Sequence, residues 1–195
     1  MRHQRNVAFA LAVLIGSATS VVGISGLLGV GPLAGAESQS AEVEAERGID
    51  WDSPLPGGVE VATPAEAISA LGYQAAAPAG IGTPERILIS DPDSFDPTSR
   101  VAVFVYEDAT SGRFLVMVQP RQLSEGDFEE AVSRVDGIGP TQLAIVTIRG
   151  DTKALLAEGP VATTLEWLTE DATMVVMGPS DSFTAEEAMA VANGI

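Results

Sequence analysis

Carboxylates are the side chains with which this 195-residue sequence could most readily do chemistry, since 27 of its residues are Asp or Glu. Paired carboxylates act as general acids and bases, and clustered ones bind hard cations such as calcium. The sequence has no cysteine and a single histidine, His3. Thiol chemistry, disulfides and Cys-ligated zinc are therefore excluded, and so are imidazole bases and His-ligated metals beyond position 3.

The densest carboxylate cluster is the segment Asp91-Pro92-Asp93-Ser94-Phe95-Asp96. Three carboxylates in one turn could ligate calcium, but Phe95 stands at the third ligand position of the EF-hand pattern and Ala102 replaces its closing glutamate. We interpret residues 91–96 as an acidic turn between two strands, with calcium binding as the alternative. A second cluster is typical of the exposed first turn of a helix, and comprises Glu125, Asp127, Glu129 and Glu130.

The sequence lacks the residue patterns that are typical of serine hydrolases and of carbohydrate-binding sites. There is no Gly-x-Ser-x-Gly motif, and the single lysine, Lys153, lies in a predicted hairpin, where we interpret it as a surface charge. Trp51 and Trp167 are far apart in the sequence and do not predict a sugar-stacking platform. The other notable aromatic residues are predicted to be core, as is Trp167: Tyr73, Phe104, Tyr106 and Phe114. We therefore predict no catalytic, cofactor-binding or metal-binding residues, no cofactor, and a protein that is not an enzyme.

The charge distribution excludes another class of partner. The formal net charge is −17, and binding nucleic acid requires a basic face, so nucleic acid is excluded as a default partner. Every acidic residue lies at or after Glu37. Such an anionic surface keeps an exported protein soluble through mutual repulsion, with cation binding or adaptation to high salt as the alternative.

Residues 1–36 have the pattern of an export segment. Arg2 and Arg5 precede an uncharged stretch that continues to Ala36, and positive charge before an apolar segment directs the downstream chain across the membrane. Two outcomes stay open: cleavage after Ala36 as a signal peptide, or retention as a membrane anchor through residues 7–30. Either outcome predicts an extracytoplasmic protein, secreted or held by one N-terminal helix.

The rest of the chain divides into an acidic, Pro- and Gly-containing linker, 37–62, and one domain, 63–195. Capping-box patterns at Thr63 and Thr184 predict its first and last helices, and apolar spacing predicts a third helix over 124–135. Alternating or continuous apolar runs separated by short turns predict about seven strands: 85–90, 101–106, 114–119, 142–149, 152–158, 162–168 and 174–177. The predicted fold class is α+β, an antiparallel sheet with short helices at its start, middle and C-terminus.

The order of these features resembles a known family. The elements are Ala77-Pro78-Ala79-Gly80, a strand ending in Tyr106, another ending in Gln119, a glycine-turn hairpin over 148–154, Leu165-Glu166-Trp167, and the Thr184-x-x-Glu187 helix. From Leu71 to Ile195 the chain resembles the domain-of-unknown-function family found at the extracytoplasmic C-terminal end of bacterial membrane-anchored anti-sigma-like and sporulation-associated proteins. Members of the family often begin with a cytoplasmic sigma-binding segment, for which Met1 to Asn6 is too short.

The sequence leaves two function classes open. The preferred one is an extracytoplasmic envelope domain that binds or senses a protein, peptide or wall component, with a regulatory role that the resemblance implies. Its partner would then be an envelope or membrane protein that supplies the cytoplasmic output. The alternative is a carrier that holds a lipid or other hydrophobic ligand in a cavity of a curved sheet.

Overall fold

The computed structural model describes residues 49–55, 57–90, 100–109, 112–135 and 140–195. In these ranges the chain forms three helices: α1 (Pro64–Ala70), α2 (Glu125–Val135) and α3 (Ala185–Gly194). It also forms eight strands: β1 (Val59–Glu60), β2 (Arg86–Ile89), β3 (Ala102–Asp108), β4 (Gly112–Pro120), β5 (Gln142–Ile148), β6 (Thr152–Glu158), β7 (Ala162–Leu168) and β8 (Ala172–Pro179).

All eight strands belong to one antiparallel sheet with the order β1-β2-β3-β4-β8-β7-β6-β5. The sheet consists of two four-stranded meanders, β1 to β4 and β5 to β8, which pair through β4 and β8, for example at Val116 and Val176. Helix α2 leads from the first meander to the second. The predicted antiparallel α+β architecture is confirmed, and the strand beyond the predicted seven is β1, which lies in the predicted linker.

Side-chain caps fix the first turns of α1 and α3, as the sequence predicts. The Thr63 Oγ1 atom accepts a hydrogen bond from the Glu66 N–H at 3.1 Å, and the Glu66 carboxylate accepts one from the Ala62 N–H. At α3 the capping box is complete, because the Glu187 carboxylate accepts from the Thr184 N–H at 2.7 Å while Thr184 Oγ1 accepts from the Glu187 N–H. Each cap satisfies backbone N–H groups that have no partner inside the helix.

One face of the sheet, called here the α1/α3 face, carries the largest cluster of buried side chains. Ala67 of α1 and Ala188 and Ala192 of α3 pack against alternate residues of the strands. Those strand residues include Phe104, Val116, Leu165, Trp167 and Val176, none of which is exposed. Small helix residues let the helix backbones approach the sheet closely, which leaves the strands to supply the bulk of the core.

The opposite face, called here the α2 face, is covered by two separate elements. Helix α2 packs Phe128 and Ala131 on Leu155 and Ala157 of β6. Over β3, β4 and β8, Leu55 packs with Ile49 and Trp51 on side chains such as Val103, Leu115 and Val175. Strands β3 and β4 are therefore covered on both faces, as their continuous apolar sequences predict.

The described part of the predicted linker is thus attached to the sheet. Two arginines hold it there: Arg86 donates to the Asp52 carbonyl at 2.8 Å and pairs with Glu60, and Arg113 pairs with the Asp52 carboxylate. The sequence does not predict this attachment, because isolated apolar residues without a period do not indicate an ordered segment. Their order comes from contacts with distant strands.

Glu166 lies in the middle of the α2 face with its side chain buried. Its register partners are Leu155 on β6 and Val175 on β8, and the residue is 3% exposed. Neither a hydrogen bond nor an opposite charge contributes to the pKa of its carboxyl. Burial raises the pKa of Glu166 from its ordinary value of 4.5 to about 7, because the ionised form loses its hydration.

This burial predicts that the free energy of unfolding falls as the pH rises. Between pH 4.5 and about 7 the unfolded chain ionises Glu166 while the folded chain keeps it protonated, so rising pH favours unfolding. We expect wild type to lose about 3 kcal/mol relative to Glu166→Gln between pH 4.5 and pH 8, measured by urea unfolding. The exposed Glu158→Gln on β6 is the control, whose difference from wild type should stay constant. A pH-independent difference for Glu166→Gln would contradict the burial of an ionisable carboxyl.

Candidate functional site

The carboxylate clusters singled out in the sequence do not form a site in the described residues. Residues 91–96 lie outside the described ranges. On α2, Glu125 and Glu129 pair with Lys153 at 3.6 Å and 3.1 Å, and Glu130 pairs with Arg134 one helical turn away. Glu125, Glu129 and Lys153 are exposed, and Glu130 is half-buried. Asp127 is also half-buried, and its carboxylate accepts a hydrogen bond from the Ser124 N–H at 2.7 Å at the start of α2. No group of three or more His, Cys, Asp or Glu in the described ranges could hold a metal ion.

Among the described residues, a groove on the α1/α3 side of the molecule is the candidate for a binding site. It has a volume of about 460 Å³, which is in the range of small-ligand sites. Three parts of the chain form it: the loop 80–83, the ends of β3 and β4, and one side of α3. Its lining residues are Gly80, Ile81, Gly82, Thr83, Tyr106, Glu107, Asp108, Phe114, Glu187, Ala190, Val191 and Gly194.

A row of stacked aromatic rings supports the groove. The Tyr106 and Phe114 rings face each other across β3 and β4 with centroids 5.2 Å apart, and Phe114 stacks on Phe183 at 5.4 Å. Phe183 lies over Gly178, where an added Cβ atom would come within 2.3 Å of its ring. The absence of a side chain at Gly178 therefore lets Phe183, and α3 behind it, lie directly on β8.

The loop 80–83 forms the wall opposite the strands. Gly80 adopts φ +84°, and a Cβ atom there would lie 2.0 Å from the Gly194 carbonyl oxygen at the end of α3. Gly82 has φ +95° but no atom near its missing Cβ. Glycine at position 80 is therefore required both by the backbone conformation and by the close approach of α3.

Two carboxylates belong to the side chains that line the groove, from Asp108 at the end of β3 and Glu187 on α3. Glu107 also lines the groove, but alternation along β3 directs its side chain to the α2 face, like that of Val105. There it approaches Arg113 at 3.6 Å, and Arg113 also pairs with Asp52 and Glu85. Glu187 also serves the cap of α3, so its carboxylate is held in a fixed position.

Tyr106 brings a hydroxyl group to this groove. The residue is only 3% exposed. Burial raises the pKa of Tyr106 to about 12, so the phenol stays neutral at ordinary pH.

The arrangement is suited to binding. It offers carboxylate oxygens, one hydroxyl and apolar side chains of Ile81 and Val191, arranged around an open groove. The sequence correctly predicted that Tyr106 and Phe114 are buried, but it did not predict that they also line a groove. The pairs Glu107-Asp108 and Gly80-Gly82 were the available signals, and neither indicates by itself that the two segments meet.

Comparison with known proteins adds no assignment: neither a protein family, nor a curated protein, nor a solved structure matches this chain. Within the described ranges, the helices are too short or too polar to cross a membrane. The function of the chain must therefore be inferred from the groove and its surroundings.

The surroundings of Gly80 and Gly82 predict different losses of stability when each is replaced by alanine. Gly80→Ala should lower the free energy of unfolding by about 2–4 kcal/mol, because it adds a collision with the Gly194 carbonyl to the cost of a positive φ. Gly82→Ala is the matched control, with a positive φ and open space, and should lose only about 1 kcal/mol. Chemical denaturation of both variants measures the difference. Equal losses would mean that the loop does not approach α3 closely.

Proposed function

We propose that this chain is a non-enzymatic extracytoplasmic domain that recognises a segment of a protein or peptide through the groove between the loop 80–83, the β3–β4 hairpin and α3. The observation that carries the proposal is the composition of the groove, in which Tyr106, Asp108 and Glu187 lie beside the apolar residues Ile81 and Val191. Such a combination of apolar walls and a few oriented polar groups is typical of ligand-binding grooves.

The packing of the sheet favours this function over the carrier alternative. Phe104, Val116 and Trp167 on the α1/α3 face have no exposed surface, so side chains fill the space between this part of the sheet and its helices. A lipid chain would need that interior volume. The groove of about 460 Å³ lies at the edge of this core and is open to solvent, which suits a side chain or short segment of a partner.

The location and partner are part of the proposal. Arg2 and Arg5 before an apolar stretch support export, with the N-terminal segment either removed near Ala36 or kept as an anchor. The resemblance to extracytoplasmic domains of anti-sigma-like proteins adds a regulatory role, with an envelope or membrane protein as the partner. The exposed, anionic surface suits a domain that works outside the cytoplasm in a soluble form.

Site-specific cross-linking in the producing cells tests the proposal. A photoreactive benzoylphenylalanine replaces Ala190, an exposed residue that lines the groove, in the full chain. The matched control replaces Ser133, an exposed residue on α2, with the same group. We expect a discrete protein adduct from position 190 that is absent from position 133, recovered in the membrane or exported fraction.

Three results would contradict the proposal. The same adducts from both positions would mean that the groove has no special role in binding. No adduct from position 190 would mean that no partner lies in the groove. Lipid attached at position 190 would support the carrier alternative instead.

A further inference from the structure

We propose that the outer edge of strand β5 is an interface through which two copies of this chain pair, antiparallel and strand to strand, to form one continuous sheet. This inference concerns a different part of the molecule from the groove, because no residue of β5 lines the groove. Three observations carry it. The edge is open, it lacks the features that normally prevent strand pairing, and its side chains are complementary to those of a second copy.

The outer edge of β5 is open in the described part of the chain. The strand is the last of the sheet, and there it pairs only with β6. In an antiparallel sheet, alternate residues of such a strand direct their N–H and C=O groups away from the neighbouring strand. These backbone groups are therefore available to a further strand.

The helices leave the middle of β5 uncovered on both faces of the sheet. Leu143, near the start of the strand, packs in the cluster under α2, and Ile148, at its end, packs in the cluster under α3. Between them, Ala144 on the α1/α3 face and Ile145 on the α2 face are exposed. The middle of the strand therefore has room for a partner strand on both faces.

The two edges of the sheet differ in how they are protected. Strand β1, at the other edge, has only two residues, one of them the charged Glu60, and short or charged edge strands resist pairing. Strand β5 has seven residues, with neither a charge nor a proline among them. Each edge presents one exposed large apolar side chain, Val59 on β1 at 45% and Ile145 on β5 at 38%. Only β5 is long enough to pair along its whole length with another strand.

The distribution of charge favours β5 as the place where two copies meet. The formal net charge of −17 makes copies of the chain repel one another. Between Asp136 and Asp151, however, the sequence contains no acidic residue, and Arg149 is its single charged residue there. Strand β5 lies within this stretch, so pairing through it brings one neutral edge against another.

The side chains of β5 are complementary to those of a second β5. A two-fold axis at Ile145, the middle residue, lets all seven residues of both strands align. Ala144 of one copy then lies opposite Val146 of the other, a small side chain beside a β-branched one, and Leu143 lies opposite Thr147. The two Ile145 side chains meet at the axis and cover each other. This matching is the reason for preferring a second copy to a strand of another protein.

The pairing is expected to be weak and to depend on salt. A seven-residue strand is about 23 Å long, and pairing of two such edges buries less than the roughly 1,600 Å² of a standard interface. We therefore expect a dissociation constant on the order of 10–100 µM. Added salt should strengthen the dimer, because it screens the repulsion between two anionic copies. Binding of a basic partner would show the opposite dependence.

Disulfide cross-linking tests this arrangement, because the chain contains no cysteine of its own. In Ile145→Cys the two thiols lie at the axis, where opposite Cα atoms are about 4.5–5.5 Å apart, within the range of a disulfide. In Thr147→Cys, also an exposed position, the two Cα atoms are about 13 Å apart, too far for a disulfide. Purified full-length variants are oxidised with copper phenanthroline. We expect Ile145→Cys to yield at least about fivefold more linked dimer than Thr147→Cys, and more at higher salt.

A charge at the edge provides a second test. Ala144→Lys, added to the Ile145→Cys chain, places an ammonium group opposite Val146 and should lower the yield of dimer about fivefold or more. Val59→Lys in the same chain is the matched control at the β1 edge and should leave the yield unchanged. Both substitutions reduce the negative charge equally, so a change in general repulsion cannot explain a difference between them. Thermal unfolding shows whether each variant is folded.

Three results would overturn the inference. Equal yields from Ile145→Cys and Thr147→Cys would mean that the copies collide at random or associate through another surface. Equal effects of Ala144→Lys and Val59→Lys would mean that β5 is not the interface. A yield from Ile145→Cys that falls as salt is added would contradict the pairing of two anionic copies. None of these results bears on the groove, which the cross-linking at position 190 tests.

Discussion

The contact between Phe183 and Gly178 is the constraint on which the arrangement of this molecule depends. Phe183 has no exposed surface, and its ring occupies the space in which a Cβ atom at position 178 would lie. Because Phe183 comes just before α3, this contact sets the height of the helix above β8. Phe183 stacks on Phe114 of β4, and Phe114 stacks on Tyr106 of β3. The position of Phe183 is therefore linked to that of both strands. The groove is the space left where the stack and the helix end.

The C-terminal end of α3 is held by a second set of contacts. Arg149, in the turn between β5 and β6, has a positive φ of 51° and donates from Nε to the Ala192 carbonyl at 2.9 Å. Its backbone N–H donates to the Asn193 side chain at 2.7 Å, and its guanidinium lies 5.2 Å from the centre of the Trp167 ring. A cation near the end of a helix satisfies carbonyls and interacts favourably with the helix dipole. Both ends of α3 are thus fixed, which keeps the wall of the groove in place.

The two faces of the sheet differ in the side chains that β7 buries on them. On the α1/α3 face, β7 contributes Leu165 and Trp167 to an apolar core. On the α2 face the same strand contributes Thr164 and Glu166, which are also buried. Burying the carboxyl of Glu166 lowers stability near neutral pH, because the ionised form loses its hydration.

Most of the fold could be predicted because its signals are local. Short turns such as Gly150-Asp151 force neighbouring strands to pair, and the Thr184 and Glu187 pair fixes the start of α3. Strand β1 could not be predicted, since two residues have no period and depend on β2 for their order. Glu166 stands between the apolar residues Leu165 and Trp167, a pattern typical of a strand with one exposed face. The burial of Glu166 could therefore not be predicted from the sequence. The groove joins residues near 80, 107 and 190, whose proximity no local pattern encodes.

The most direct test of the central claim is chemical denaturation of Gly178→Ala. An added Cβ atom would lie 2.3 Å from the Phe183 ring, so we expect this variant to lose about 2–4 kcal/mol of the free energy of unfolding. A variant as stable as wild type would contradict the account, because it would mean that Phe183 does not lie directly on β8.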